Sequence, residues 1–180
     1  MTNSKNKNYE ALTPEKVAVR AVGLISSQNT MTLATSAGES AWAAPVYYVY
    51  ENCAFYFFSD PESRHVREGL HAGDSSAAIH TPSTGWRDIC GIQMSGKIIR
   101  LPLGREAASA FVAYLKKYPF CKEFFSPGAE LNLETFSGRF KAKLYKFVPK
   151  QVYYQDNRIQ FGHHELIDLT DCDWVQASRK

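Results

Sequence analysis

Apolar positions recur along this chain in two rhythms, one helical and one alternating. Behind Thr13-Pro14-Glu15, the cap, proline and acid of a helix start, come Val17, Ala18, Ala21, Val22 and Ile25 at helical spacing. This predicts a helix with a single apolar stripe that packs on the core. Residues 30–36 alternate weakly and read as a strand. Ala37-Gly38 turns the chain into a longer strand, 40–50, in which both faces are apolar. Trp42, Ala44, Val46, Tyr48 and Tyr50 lie on one face; Ala41, Ala43, Pro45, Tyr47 and Val49 lie on the other. A face turned to water would carry polar residues. One face therefore fills the core, and the other requires a ligand, a helix or a second subunit as cover. Pro45 has no N–H to give a ladder, which places an edge or a break in pairing there.

The next strand is 53–59, with Glu51-Asn52 as the hairpin turn. Asp60-Pro61-Glu62 ends the sheet. Asp60 is expected as an N-cap and Pro61 as the first helical residue, so Ser63, Arg64 and His65 fall in a helix's first turn. A short strand, 75–80, a loop, 81–85, and a long strand, 89–101, follow. On the long strand Gly91, Gln93, Ser95 and Lys97 form a small, polar face, and Gly96 marks a bulge or a close approach. Residues 103–118 read as an amphipathic helix with Ala107, Ala108, Phe111, Val112 and Leu115 on one side, stopped by Pro119. The irregular aromatic stretch 120–136 reads as packing rather than as a cap over a pocket, the other reading such a segment allows. Strand character returns at 139–148 and 151–155, Asp156-Asn157 turns the chain, and 158–161 and 165–169 close the sheet. The class is mainly β with flanking helices, α+β. One domain is expected over 13–170, between a polar tail at 1–12 and another at 171–180 that contains Trp174.

Composition narrows the function without naming it. The 180 residues suffice for one full core; 44% are hydrophobic, 22% charged and 13% aromatic. A net charge of +3 with no basic run argues against a nucleic-acid or membrane partner. Cys53, Cys90, Cys121 and Cys172 form no C-x-x-C pair, so no structural zinc site is expected. With no signal-like or membrane-length apolar run, a cytoplasmic protein is expected, its cysteines reduced packing residues. His163-His164 are neighbours that point to opposite faces of a strand and do not chelate one ion, so no metal site is expected.

The chemistry concentrates between Ala41 and Arg67. A hydroxyl and a cation at Ser63 and Arg64, in a first turn with free N–H groups, suit a phosphate. The small run around Ala43, Ala44 and Pro45 lets a flat ring approach the backbone. Together they describe a nucleotide-like cofactor.

F-S-D-P-E-S-R-H (58–65) resembles the Y-T-N-x-x-S-R-K segment of the pyridoxamine 5′-phosphate oxidase-like flavoproteins, split β-barrels that bind FMN at a dimer interface. T-M-T-L-A-T-S-A-G-E-S-A-W-A-A-P-V-Y-Y-V (30–49) resembles that family's first hairpin, and G-I-Q-M-S-G-K-I-I-R-L (91–101) its later barrel strand. F-V-P-K-Q-V-Y-Y-Q-D-N-R-I-Q-F-G (147–162) resembles the last strands of a small branch of it. The resemblance implies a split barrel, FMN as cofactor and a homodimer with the cofactor at its interface. It implies that Ser63, Arg64 and His65 hold the phosphate, and that Phe58 and Ser59 run along the ribityl chain or ring. Ala43, Ala44, Pro45 and Val46 would line the isoalloxazine through their backbone, and Gln93 would bond its edge. The chain departs from the oxidase where A-A-P-V-Y-Y (43–48) replaces R-x-V-L-L-K and its cations, so oxidation of pyridoxamine phosphate is not expected. The expected function is an FMN-dependent oxidoreductase of unknown small-molecule substrate. The alternatives are a non-catalytic flavin- or haem-binding barrel and, further off, a single-strand nucleic-acid binder.

Overall fold

The computed structural model describes residues 13–169; the expected tails, Cys172 and Trp174 lie outside them. Seven antiparallel strands run in the order β3-β2-β1-β4-β5-β6-β7. In chain order they are β1 (Thr30–Ala37), β2 (Ser40–Glu51), β3 (Ala54–Ser59), β4 (Ser75–His80), β5 (Cys90–Arg100), β6 (Lys143–Asp156) and β7 (His164–Ile167). A further pairing of β3 with β6 closes the first six strands into a barrel. β6 makes both the closure and the split. Its residues from Lys143 to Phe147 pair with β3, and those from Val152 to Gln155 pair with β7 instead.

The two strands expected at 139–148 and 151–155 are one strand with a bulge. The β5–β6 register shifts between Ser95 and Gly96, which sit opposite Gln151 and Pro149, so Lys150 is the extra residue. The bulge changes which residues point inward. Tyr145 and Phe147 enter the core before it, Val152 and Tyr154 after it. Gly96 is the close approach read from the sequence: a Cβ there would collide with Val148 O and lie 2.7 Å from Phe147 Cζ.

Two layers cover the barrel. Helix α1 (Pro14–Ser27), capped by Thr13, sends Val17, Ala21 and Ile25 into the barrel core, as its stripe predicts, and closes one end. Helix α2 (Arg64–Ala72) contributes Val66 to the same core and sets Gly69 against Ile98. A second apolar cluster lies outside the barrel, where α3 (Arg105–Lys117) and α4 (Leu133–Phe140) pack on Val49, Ala54, Tyr56 and Leu144. The buried stripe of α3 is Ala107, Ala110, Phe111 and Tyr114; Val112 is exposed. The helix is rotated from the expected face because Tyr114 and Phe111 join Phe58 and Phe136 in one aromatic cluster. From the stretch 120–136 that cluster takes Phe136, and Cys121 is buried near it, while Phe120 and Phe124 are exposed. The stretch also opens α4, whose Asn132–Thr135 capping box the sequence reading passed over.

Three smaller expectations need correction. The hairpin turn is Asn52-Cys53, both at positive φ (47° and 59°), one residue later than expected. A two-residue loop matched to strand twist requires that pair of left-handed conformations. Cys53 sits on this turn and is disulfide-bonded, so it is not a reduced packing residue; Cys90 and Cys121 are free and buried. The stretch 158–161 is a turn, not a strand, because Asp156 takes the Arg158 N–H and guanidinium.

Candidate functional site at the opening between two strands

The β2–β3 ladder stops at Tyr48–Phe57. Beyond it β2 pairs with β1 on one side and, among the described residues, with no strand on the other, so Pro45 lies on an open edge, as its missing N–H predicts. Along this edge Ala43 and Pro45 face outward, while Ala44 and Val46 turn into the barrel.

Ser59 ends β3, two residues past the last β2 rung, and the chain turns there. Ser63 N–H donates to Asp60 O (3.0 Å), and Glu62 N–H donates to Asp60 Oδ1 (2.8 Å). Pro61, with its fixed φ, occupies the turn. The expected cap is therefore corrected: Asp60 caps a turn, Ser63 is the N-cap and α2 starts at Arg64. The Ser63 hydroxyl makes no cap hydrogen bond; it donates to Asp60 O at 2.7 Å. It also lies 3.1 Å from Ser59 Oγ, and His65 Nε2 lies 2.8 Å from Ser59 Oγ. Ser59, Ser63 and His65 thus form one half-buried cluster. The Arg64 and His65 N–H groups beside it lie in the first turn, where no helix carbonyl is available to accept them. Burial holds the His65 imidazole below its ordinary range, so it is neutral near pH 7.

Arg64 belongs to an adjoining network. Its Nε donates to Glu68 Oε1 (2.5 Å), its Nη2 to Ser40 Oγ (2.5 Å), and its guanidinium lies 4.9 Å over the Trp42 ring. Glu68 also accepts from Thr35 Oγ1 at 2.7 Å. The Arg64 and then the Thr35 hydrogen bonds hold the Glu68 carboxyl below its usual range. Arg64 therefore ties α2 to the open part of β2, with much of its charge already met by Glu68. A polar groove of about 680 Å³ opens beside Thr35, lined also by Ser36, Ser76 and Ser95.

Two expected site residues lie elsewhere. Phe58 alternates away from Ser59 and packs with Phe111, Tyr114 and Phe136 at ring separations of 6.1, 5.0 and 4.7 Å. Gln93 shares the outer face with Pro45, in the row Pro45, Thr32, Ala78, Gln93, Tyr153, Leu166. Three strand spacings separate it from Pro45, about 14 Å, and its amide is bonded to Gln155. Sequence reasoning passed over Ser40, Trp42, Thr35, Glu68 and Lys143, the cross-strand partner of Ser59. The i, i+4 spacing to Arg64 could have found Glu68; the others appear only through tertiary pairing, since Lys143 and Ser59 are far apart in the chain.

No protein-family profile matches the chain. It is 26% identical over 140 residues to a UPF0306 protein of Cronobacter sakazakii, covering 77% of this chain and 85% of that one. It is 28% identical over 139 residues to the UPF0306 protein YhbP of Salmonella paratyphi A, covering 76% and 92%. Among solved structures, a haem-binding protein from Mycobacterium smegmatis superposes with a TM-score of 0.63 at 20% identity, over 89% of this chain. The present chain spans 60% of the length of that protein. A FAD-binding protein from Mesorhizobium loti gives 0.57 at 17% identity, covering 75% and 91%. A candidate pyridoxamine 5′-phosphate oxidase from Listeria innocua gives 0.55 at 12%, covering 76% and 96%. These likenesses establish the fold: a pyridoxamine 5′-phosphate oxidase-like split barrel.

Proposed function

We propose that this chain binds a flavin, FMN, at the opening between β2 and β3, and serves as an oxidoreductase on a small molecule. The observation that carries the reading is the convergence of Ser59, Ser63 and His65 on a helix start beside an open strand edge. Two hydroxyls, a neutral imidazole and two first-turn N–H groups are donors suited to a phosphate. The edge at Ala43 and Pro45 leaves backbone free for a flat ring. Arg64 and Trp42 close the far side of that edge. The bound flavin would supply the redox chemistry, while the chain fixes its phosphate and ring and limits water. The fit is that of a modest binder, because Glu68 shares Arg64.

A second copy of the chain fits the same reading. Among the described residues no element covers the row from Pro45 to Leu166, and Tyr47, Tyr153 and Leu166 on that face are 47%, 38% and 61% exposed. Of the tyrosines on 40–50, only Tyr47 needs such cover. Tyr48 and Tyr50 are buried because they point into the barrel, while α3 covers their outward neighbour Val49.

The haem-binding Mycobacterium neighbour supports a second reading, a barrel that holds haem. The visible spectrum of the purified protein, with added FMN and with added haem, separates the two. A bound flavin band supports the first reading, a Soret shift with haem supports the second, and no change with either ends both. The flavin-loaded protein is expected not to convert pyridoxamine 5′-phosphate, since 43–48 carries no cation to hold that substrate's phosphate.

A further inference from the structure

The phosphate site just proposed has no uncommitted cation among the residues that touch its hydroxyl cluster or start α2; Arg67, the next cation on the helix, lies almost a turn further on. His65 is neutral, and Arg64 is paired with Glu68 at 2.5 Å. A phosphate brought to hydroxyls and N–H groups alone would gain little over its hydration. We infer that Lys143, at the start of β6, supplies the missing charge and is the principal cation for the phosphate. This inference rests on the flavin reading.

The argument is one of register. Ser59 and Lys143 are directly opposed in the antiparallel β3–β6 ladder. Opposed residues share a face, with Cβ atoms about 4.5–5.5 Å apart. The face is fixed by the preceding rungs: Phe57 with Tyr145 and Phe55 with Phe147 all point into the barrel core. Lys143 and Ser59 continue those rows to the barrel rim, where Ser59 meets Ser63 and His65. A four-carbon stem spans the gap between opposed positions, so the ammonium can reach a phosphate held on Ser59. Lys143 is exposed and takes part in no ion pair among the described residues. Other charges share the rim, since the Tyr145 phenol lies within the fields of Arg100, Asp60 and Glu62. Asp60 already accepts the Glu62 N–H and faces its own turn. Lys143 stands directly across from the hydroxyl cluster.

FMN and riboflavin differ only by the phosphate, so their affinity ratio reports on it. Both are titrated against wild-type protein, Lys143→Met, Lys143→Arg and Arg64→Ala by flavin fluorescence quenching. Lys143→Met is expected to weaken FMN about tenfold or more, the value of one charge-assisted hydrogen bond. Riboflavin should change less than about twofold, which also shows that the variant is folded, and Lys143→Arg should restore most of the FMN affinity. An unchanged FMN-to-riboflavin ratio in Lys143→Met overturns the role of Lys143, as does a preference abolished by Arg64→Ala alone; the flavin reading then survives. Wild-type protein that binds neither flavin, or both equally, removes the phosphate reading and Lys143 with it.

Discussion

His65 is a titratable group placed by folding beside two hydroxyls and no acid. Burial lowers its folded pKa from the ordinary value of 6.5, so the unfolded chain binds the proton more tightly. The sign follows: its contribution to stability is complete above about 6.5 and is lost as pH falls toward the depressed folded value. Glu68, also lowered, acts in the same direction further down, below its ordinary 4.5. Denaturant midpoints measured from pH 7.5 to 5 should therefore fall in wild-type protein and fall less in His65→Gln. A profile unaltered by that substitution would mean that the imidazole is not desolvated. Phosphate binding would favour the charged ring, so saturating FMN should flatten the same slope.

At the level of elements, β6 decides most. Its bulge lets one strand serve the closed barrel with its first half and β7 with its second, keeping apolar residues inward in both. The bulge works only because Gly96 admits the β6 backbone. In Gly96→Ala the new Cβ would strike Val148 O and sit 3.0 Å from Pro149 Cα, and neither is the free end of a side chain. A loss of about 1–3 kcal/mol is expected for such overpacking, read as a lower denaturant midpoint with the slope unchanged. An equal midpoint would show that the bulge has room to spare. The start of α2 matters in the same way. The turn over Asp60–Ser63 delays the helix until Arg64, and this delay frees the Ser63 hydroxyl to meet Ser59 and His65.

For the whole molecule, the question is what covers the outer face of β1, β4, β5 and the second half of β6. Helices α3 and α4 cover only the β2–β3 side. The exposed face mixes Thr32, Gln93 and Ser95 with the large side chains of Tyr47, Tyr153 and Leu166, the mixed composition of an ordinary interface, and a two-fold partner can meet it with the same patch. A homodimer is expected, with cofactor and dimerisation linked by mass action. Sedimentation over a dilution series should show dissociation shifted to lower concentration when FMN is present. Leu166→Lys, on the exposed row, should shift it the other way. A folded monomer that binds FMN as tightly as the concentrated protein does would end the proposal.

The alternation of apolar residues determined the strands and the mainly β class, because a strand's period of two can be read locally; the split barrel was implied by the resemblance. It also placed the edge at Pro45 and the close approach at Gly96, since a missing N–H and a missing Cβ are properties of single residues. The resemblance at 58–65 directed attention to Ser59, Ser63 and His65, and folding brings those three together. Tertiary structure alone decided the rest. Arg64 looked free in the sequence, but helical spacing and a neighbouring strand give it Glu68 and Ser40. Phe58 looked like a ring neighbour, but strand alternation and two helices remote in sequence take it into the aromatic layer. Lys143 carries no local signal at all; it stands across from Ser59 because the barrel closes through β3 and β6. Pairing between distant segments is set by the burial of the whole core, and no window of the sequence contains that information.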